Sequence, residues 1–391
     1  MFSIHVDTAR TWRGGQNQVL LTVLGLRSLG HRTILVAHAG GELRQRAKEG
    51  LELVPLTPKT EMDLTAAWRL ARLIKQLRPD VIHAHDPHAV AMAALARSMN
   101  TGPCRPLLIA ARRVDFHLKT NALSRWKYRQ VERFVCASEA IRRMLLEDGV
   151  PADLAVTVYE GIDLDRAAAA PPAELHADFW LPHDAPLVGN VAALVAHKGQ
   201  KHLIDAAALV IRKVSDARFI IAGEGELRPA LERQIRERHL EKHVFLAGFR
   251  PDVISVHKAF DLFVMSSVSE GLGSSLLDAM SCEKAIVATT AGGIPEAVVD
   301  RETGLLVPPR DHEAMARAII ALLTDDRARR TMAAAGLRRV RERFSVERMV
   351  RDTLRVYEQT MESRTESAAG AVGVSRRDGK SAETGDRRQA R

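Results

Sequence analysis

The sequence predicts an α/β protein built from two doubly wound parallel sheets that face each other across a cleft. Three observations point there. At 391 residues the chain exceeds what one ordinary core accommodates. Short apolar runs alternate with helical patterns along two separate stretches, the signature of parallel sheets covered on both faces. An alanine- and proline-rich interruption at 167–186 separates those stretches.

In chain order, strands are expected at 2–8, 33–37, 52–56, 81–85, 107–111, 133–137 and 157–159. Helical spacing fills the gaps at 16–29, 64–77, 89–99, 122–132 and 139–147. After the interruption the rhythm restarts with strands at 187–194, 218–222, 244–247, 262–265, 285–289 and 304–307. Met349, Val350, Leu354, Tyr357 and Met361 then recur at helical spacing, so an amphipathic helix closes the fold. The expected division is 1–166, a linker 167–186, a second domain 187–343, the closing helix 344–361 and a disordered tail 362–391 that lacks large apolar residues.

Composition narrows the function. The formal charge of +9 implies attraction to anionic surfaces or substrates. Three lone cysteines, Cys104, Cys136 and Cys282, argue against a disulfide framework or a structural zinc. No apolar run approaches a membrane span and the N-terminus lacks a signal-peptide core, so a cytoplasmic location is expected. Nucleophile elbow, HExxH, CxxC and P-loop patterns are absent, which leaves positioning and charge stabilisation as the source of any catalysis.

The densest signal runs over 262–296. An apolar strand gives way to a small-residue loop with Gly271 and Gly273, and helical spacing resumes from Ser274. Unpaired N–H groups and the dipole at such a helix start favour a phosphate, so Gly273, Ser274 and Ser275 are candidate anion ligands. Glu270 and Asp278 flank this site, and carboxylates there make sense as acceptors for sugar and ribose hydroxyls. Lys198, beside Gly199 at a loop-to-helix junction, could neutralise a leaving phosphate; the helix dipole otherwise disfavours a cation there. Gly14 and Gly15, after the first strand, and Gly223 and Gly225, after the strand at 218–222, are further close-approach turns expected at the cleft.

Two other features invite a reading. His83, His85 and Asp86 resemble a metal cluster at a strand end, but polar contacts to an acceptor suit His85 better, and no metal is expected. The segment 112–133 carries seven Arg or Lys against two acids, with Trp126 and Tyr128 among them. Such a stretch can lie on anionic lipid headgroups or bind a phosphorylated acceptor. A solvated helix face has the same composition, and no nucleic-acid motif accompanies it.

Taken together these loops resemble the GT-B glycosyltransferases, specifically retaining glycosyltransferase family 4. The resemblance rests on Glu270-Gly-Leu-Gly-Ser-Ser-Leu-Leu-Asp278, on Gly292-Gly293-Ile294-Pro295-Glu296 and on Thr303-Gly304-Leu305-Leu306-Val307. Lys198-Gly199, the Gly223 and Gly14-Gly15 turns, and Tyr159-Glu160-Gly161-Ile162-Asp163 extend it over roughly residues 2–361. It implies two Rossmann-like domains, a C-terminal crossover helix, a nucleotide diphosphate sugar as donor and a glycan or lipid-linked acceptor, with no cofactor. The implied mechanism is front-face transfer with retention. Glu270 would hold the donor sugar, Asp278 the ribose, and Lys198 with the amides of Gly273 and Ser274 the leaving diphosphate. Lipopolysaccharide or cell-envelope synthesis at the inner membrane face is the implied setting, without nucleic acid.

This chain departs from that family at three places. Asp278 stands where a glutamate is usual, and Ala193 where an arginine commonly meets the diphosphate. Compensating charge is then expected from Lys198, from the helix start, or from a further residue. Arg112 and Arg113 occupy the place of a histidine near the reacting centre, which makes Arg113 a candidate substrate ligand. Two other functions fit the same fold: a non-hydrolysing sugar-nucleotide epimerase and a catalytically silent nucleotide-sugar-binding scaffold.

Overall fold

A computed structural model describes residues 1–47, 50–100 and 105–378, with side chains through 366. The N-terminal sheet comprises β1 (Phe2–Asp7), β2 (Arg32–Ala37), β3 (Glu52–Pro55), β4 (Val81–Ala84), β5 (Leu107–Arg112), β6 (Arg133–Cys136) and β7 (Ala155–Thr157). The C-terminal sheet comprises β8 (Leu187–Val191), β9 (Arg218–Ala222), β10 (Val244–Gly248), β11 (Leu262–Met265), β12 (Ala285–Thr289) and β13 (Leu305–Val307). Strand order is β3-β2-β1-β4-β5-β6-β7 in the first sheet and β10-β9-β8-β11-β12-β13 in the second, every pair parallel. Both orders reverse beside the first strand of their sheet, at β1/β4 and β8/β11. Ligands enter such sheets at those reversals, beyond the carboxyl ends of the strands. The fold class is the one the alternating pattern predicts.

Parallel strands buried on both faces read as continuous apolar runs, and β11, β12 and β4 are buried throughout. Separate clusters of Ile, Val, Leu and Ala fill the two domains. The helix Val346–Asp378 returns to the N-terminal sheet, where Met349, Val350, Val356 and Tyr357 pack with Leu26, Val81 and Ile109. Its Tyr357 hydroxyl lies 2.6 Å from His83 Nδ1 on β4. That helix runs on to Asp378, so the disorder expected from 362 does not begin there; residues 362–369 offer Glu, Arg, Ser and Ala without a helix breaker. Residues 379–391 and Cys104 lie outside the described residues.

Two elements shift from their expected bounds. The helix expected over 122–132 stops at Tyr128, because residues 129–132 are needed to turn the chain into β6. The last strand of the first sheet is Ala155–Thr157, not 157–159, since the chain leaves the sheet there to cross between domains. The interruption at 167–186 packs against the C-terminal domain: the Ala173 amide donates to Ser255 O and Lys258 Nζ donates to Ala168 O. At the crossing, Gln18 of the first helix clamps Gly161 through both its side-chain amide atoms, at 3.0 Å each.

Candidate active site

A cavity of about 890 Å³ lies between the carboxyl ends of the two sheets. Its C-terminal wall begins where β11 ends. The loop 266–273 turns back on itself and enters the helix Ser274–Ser281 through Gly273, whose φ of 96° favours glycine at the helix cap. Leu276 and Leu277 donate to Gly273 O, while the amides of Ser274 and Ser275 have no partner among the described residues. Glu270 projects from the same loop. Its carboxylate accepts from Lys198 Nζ at 2.6 Å and from Ser267 Oγ at 2.9 Å, and Gly293 donates its amide to Glu270 O. The GGIPE turn thus fixes the backbone of the loop that carries the acid.

Lys198 and Glu270 therefore share one crevice with the open helix start. Asp278, one turn into that helix, faces the same cavity and makes no ion pair among the described residues. Burial pushes its carboxyl up to about 7, partly opposed by the Arg166 guanidinium. A hydroxyl pair from a ligand would supply the hydrogen bonds this group lacks.

The N-terminal wall is assembled from distant segments. His5 and His83 are register partners on β1 and β4, and His85 follows just past β4 on the same face. Arg113 Nη1 donates to His85 Nδ1 at 3.2 Å. An arginine can only donate, so His85 carries its proton on Nε2 and donates to His5 Nδ1 at 3.0 Å. His5 in turn donates from Nε2 to Ser3 Oγ at 3.0 Å. A single-direction column thus holds the guanidinium. Burial keeps these imidazoles neutral, with His5 lowered to about 3 and His83 and His85 well below their ordinary value. On the other side, Arg113 Nε lies 3.7 Å from the buried Glu160 carboxylate at the domain crossing. Burial raises Glu160 to about 7 against the pull of Arg113, with Glu270 adding to the rise and Lys198 opposing it.

The histidine cluster differs from the one the sequence suggests. Ligand atoms of His5, His83 and His85 lie within 4.8 Å of one another. Asp86 instead caps the helix Pro87–Ser98 and accepts from the Thr8 amide and hydroxyl. Both nitrogens of His5 and His85 are already committed to the column, and its neighbour is a guanidinium, so these donors do not suit a cation.

Of the sequence candidates, Gly14, Gly15, His85, Arg113, Lys198, Gly223, Glu270, Gly273, Ser274, Ser275 and Asp278 line the cavity. Gly225 does not: its turn packs on Leu194, where a Cβ would lie 2.3 Å from the carbonyl oxygen. Gly14 has the opposite character. A Cβ there would come within 2.1 Å of Ser274 Oγ, so the glycine loop of one domain rests on the helix start of the other. Sequence reasoning gave no site role to His5, Glu160, Arg13 or Arg166. The signal that could have found His5 and Glu160 is an ionisable residue inside or just past an apolar strand.

The basic segment 112–133 is less exposed than its composition suggests. Arg112 and Lys127 are buried, Lys127 paired with Glu61, and Trp126 and Tyr128 pack against the core. Lys119, Arg125 and Arg129 remain exposed. Among the described residues no helix is long and apolar enough to cross a membrane.

Comparison with known proteins supplies the family. Residues 12–166 match the model described as Glycosyltransferase Family 4, and residues 173–339 match Glycosyl transferases group 1. The alpha-D-kanosaminyltransferase of Streptomyces kanamyceticus is 29% identical over 329 residues, covering 74% of this chain and 83% of that protein. The N-acetyl-alpha-D-glucosaminyl L-malate synthase of Bacillus anthracis is 25% identical over 302 residues, covering 75% and 78% respectively. Among solved structures, Anabaena HepE in complex with UDP and glucose superposes with a TM-score of 0.80 at 21% identity, covering 92% of this chain and 100% of that one. Neither the epimerase nor the silent-scaffold alternative is favoured by these matches, whose two family models between them take in both walls of the cleft. The chain belongs to glycosyltransferase family 4 and is a glycosyltransferase with the GT-B fold.

Proposed function

We propose that the protein transfers a sugar, with retention at the anomeric carbon, from a nucleotide diphosphate sugar to a hydroxyl of a glycan or glycolipid. The observation that carries this reading is the Lys198–Glu270 pair, 2.6 Å apart, beside the unpartnered amides of Ser274 and Ser275. Glu270 holds the donor's sugar hydroxyls and Asp278 the ribose. Lys198 and the helix start stabilise charge growing on the departing diphosphate, which is where preorganised donors act most strongly. In front-face transfer the acceptor's oxygen bonds to the anomeric carbon as the carbon–phosphate oxygen bond breaks, and the acceptor's proton passes to that phosphate oxygen. Protein cations carry the charge, so the reading needs no metal. HepE was solved with UDP and glucose, and the match to it supports a nucleotide-sugar donor.

Cell-envelope acceptors at the inner membrane face remain part of the proposal. Exposed Lys119, Arg125 and Arg129 support it, as does the outer face of the helix Leu64–Leu77, where Leu64 and Trp68 stand exposed with Arg69, Arg72 and Lys75. The test is incubation with a panel of nucleotide sugars, with and without membrane extract. Acceptor-dependent release of nucleotide, abolished in Glu270→Ala, is expected. Turnover that needs no acceptor and isomerises the sugar would instead make the protein an epimerase.

A further inference from the structure

Ala193 lies on the C-terminal wall of the cavity and brings no charge to it, and the two walls touch at one informative place. The Gly14 backbone rests against Ser274 Oγ, at the helix start whose amides are open. The residue before that glycine is Arg13. Its backbone is extended, at the cap of the helix Gly14–Ser28, and its side chain is exposed at the cavity wall. Most other arginines on the cavity wall are engaged: Arg113 by His85 and Glu160, Arg250 by Asp178 and Asp252, Arg10 by His38, Arg46 by Glu42 and Arg112 by Phe116 O. Arg166 also has no ion pair among the described residues, but its charge acts on Asp278, one turn into the helix, and it does not adjoin the Gly14 contact with the helix start. Arg13 has no ion pair or side-chain hydrogen bond among the described residues, and its charge is felt at His197, next to Lys198.

We infer that Arg13 reaches across the cleft to the donor's diphosphate and supplies a second cation beside Lys198. This rests on the nucleotide-sugar reading and adds a residue from the opposite domain to it. An unpaired guanidinium at an anion site has a fork geometry that suits two phosphate oxygens at once. It is also complementary to the helix start, which offers amides but, among the described residues lining the cavity, one ammonium, that of Lys198, which is shared with Glu270. Because Arg13 and Ser274 belong to different domains, a diphosphate bound between them ties the cleft shut, whereas a monophosphate too short to span both leaves it loose.

The test compares nucleoside diphosphates with the matching monophosphates by calorimetric titration, using UDP, GDP, ADP and dTDP on the full-length protein. The wild type is expected to prefer one diphosphate over its monophosphate. Arg13→Ala is expected to weaken that diphosphate by about ten- to a hundredfold while changing the monophosphate less than about threefold. Arg13→Lys should restore part of the preference, as a point charge without the fork. Melting of the free variants should match the wild type, since the side chain has no partner to lose. A preference that survives Arg13→Ala, or a wild type indifferent to the second phosphate, overturns the inference while leaving the donor class standing. A wild type that binds no nucleoside diphosphate removes the nucleotide-sugar reading itself, and this inference with it.

Discussion

The two walls of the cleft are built in opposite ways. On the C-terminal side the acid, the amides and the second acid lie within nine consecutive residues, 270–278, with Lys198 as the one outside member. On the N-terminal side Ser3, His5, His85, Arg113 and Glu160 come from four segments that meet only because β1, β4 and β5 are neighbours and the chain crosses beneath them. The first wall is a local turn that carries its chemistry with it. The second is a product of sheet topology, and its polar groups are buried and mutually dependent. The difference predicts that the N-terminal wall is coupled to global stability, whereas the C-terminal wall is coupled to ligand binding.

The largest expected effect tests that coupling. Arg113→Ala would leave the Glu160 carboxylate buried without its cation, at a cost of about 3 kcal/mol near pH 8 by urea unfolding. Adding Glu160→Gln should recover most of the loss. The pH dependence has a definite sign. With its pKa raised to about 7, Glu160 binds its proton more tightly in the folded than in the unfolded chain, so it lowers stability progressively as pH rises from the ordinary carboxylate range toward 7. The Arg113→Ala deficit should therefore shrink at pH 5. A deficit that is the same at both pH values would mean the pair is not coupled in this way.

Next in size is the histidine column. His5 is lowered to about 3, so the unfolded chain takes up a proton that the folded chain refuses once pH falls below about 6.5. Each such histidine should cost about 1.4 kcal/mol of stability per pH unit below that point. Replacing His5 with Gln keeps a donor and an acceptor but removes the titration, so the acid limb of the stability profile should become shallower by about that slope. An unchanged limb would assign the acid sensitivity elsewhere, for instance to the buried His257, also lowered to about 3.

The smallest effect concerns the contact that holds the walls together outside the cavity. The Glu296 carboxylate accepts from the Glu139 and Ala140 amides, at 2.7 Å each, across the domain boundary. It thereby caps the helix Glu139–Glu147 from the opposite domain, where the dipole favours an anion. Glu296→Gln should weaken closure by about 1 kcal/mol, read as a larger average dimension in small-angle scattering of the free protein. No change would mean that the remaining contacts between the domains, such as the Ser269 hydroxyl on Asp115 and Gly14 against Ser274, are enough to keep the cleft shut.

How far the sequence could be read follows the same division. The strands, their parallel order and the loop 266–273 were legible because parallel burial writes apolar runs and because a glycine-rich turn before a helix is a local signal. Glu270 and Asp278 followed from it, and Lys198 from the separate loop-to-helix junction at Gly199. His85 and Arg113 were singled out singly, yet their direct hydrogen bond and its extension to His5 on one side and Glu160 on the other were not, since contacts between strands depend on register. The lysine and aromatics of 112–133 misled for the complementary reason: composition marks a basic surface, but Lys127, Trp126 and Tyr128 turn inward against Glu61 and the core. Gly225 shows that a glycine after a strand can serve backbone packing on Leu194 as readily as ligand approach.

At the centre of the proposal, one acid would grip the donor's sugar while a lysine and two amides would hold its diphosphate. Titrating the same nucleoside diphosphate with and without its sugar into Lys198→Ala and Glu270→Ala separates the two roles. Lys198→Ala should lose affinity for both ligands, whereas Glu270→Ala should keep the diphosphate and lose only the increment that the sugar adds. Equal losses for both ligands in Glu270→Ala, or an unaltered diphosphate affinity in Lys198→Ala, would contradict it.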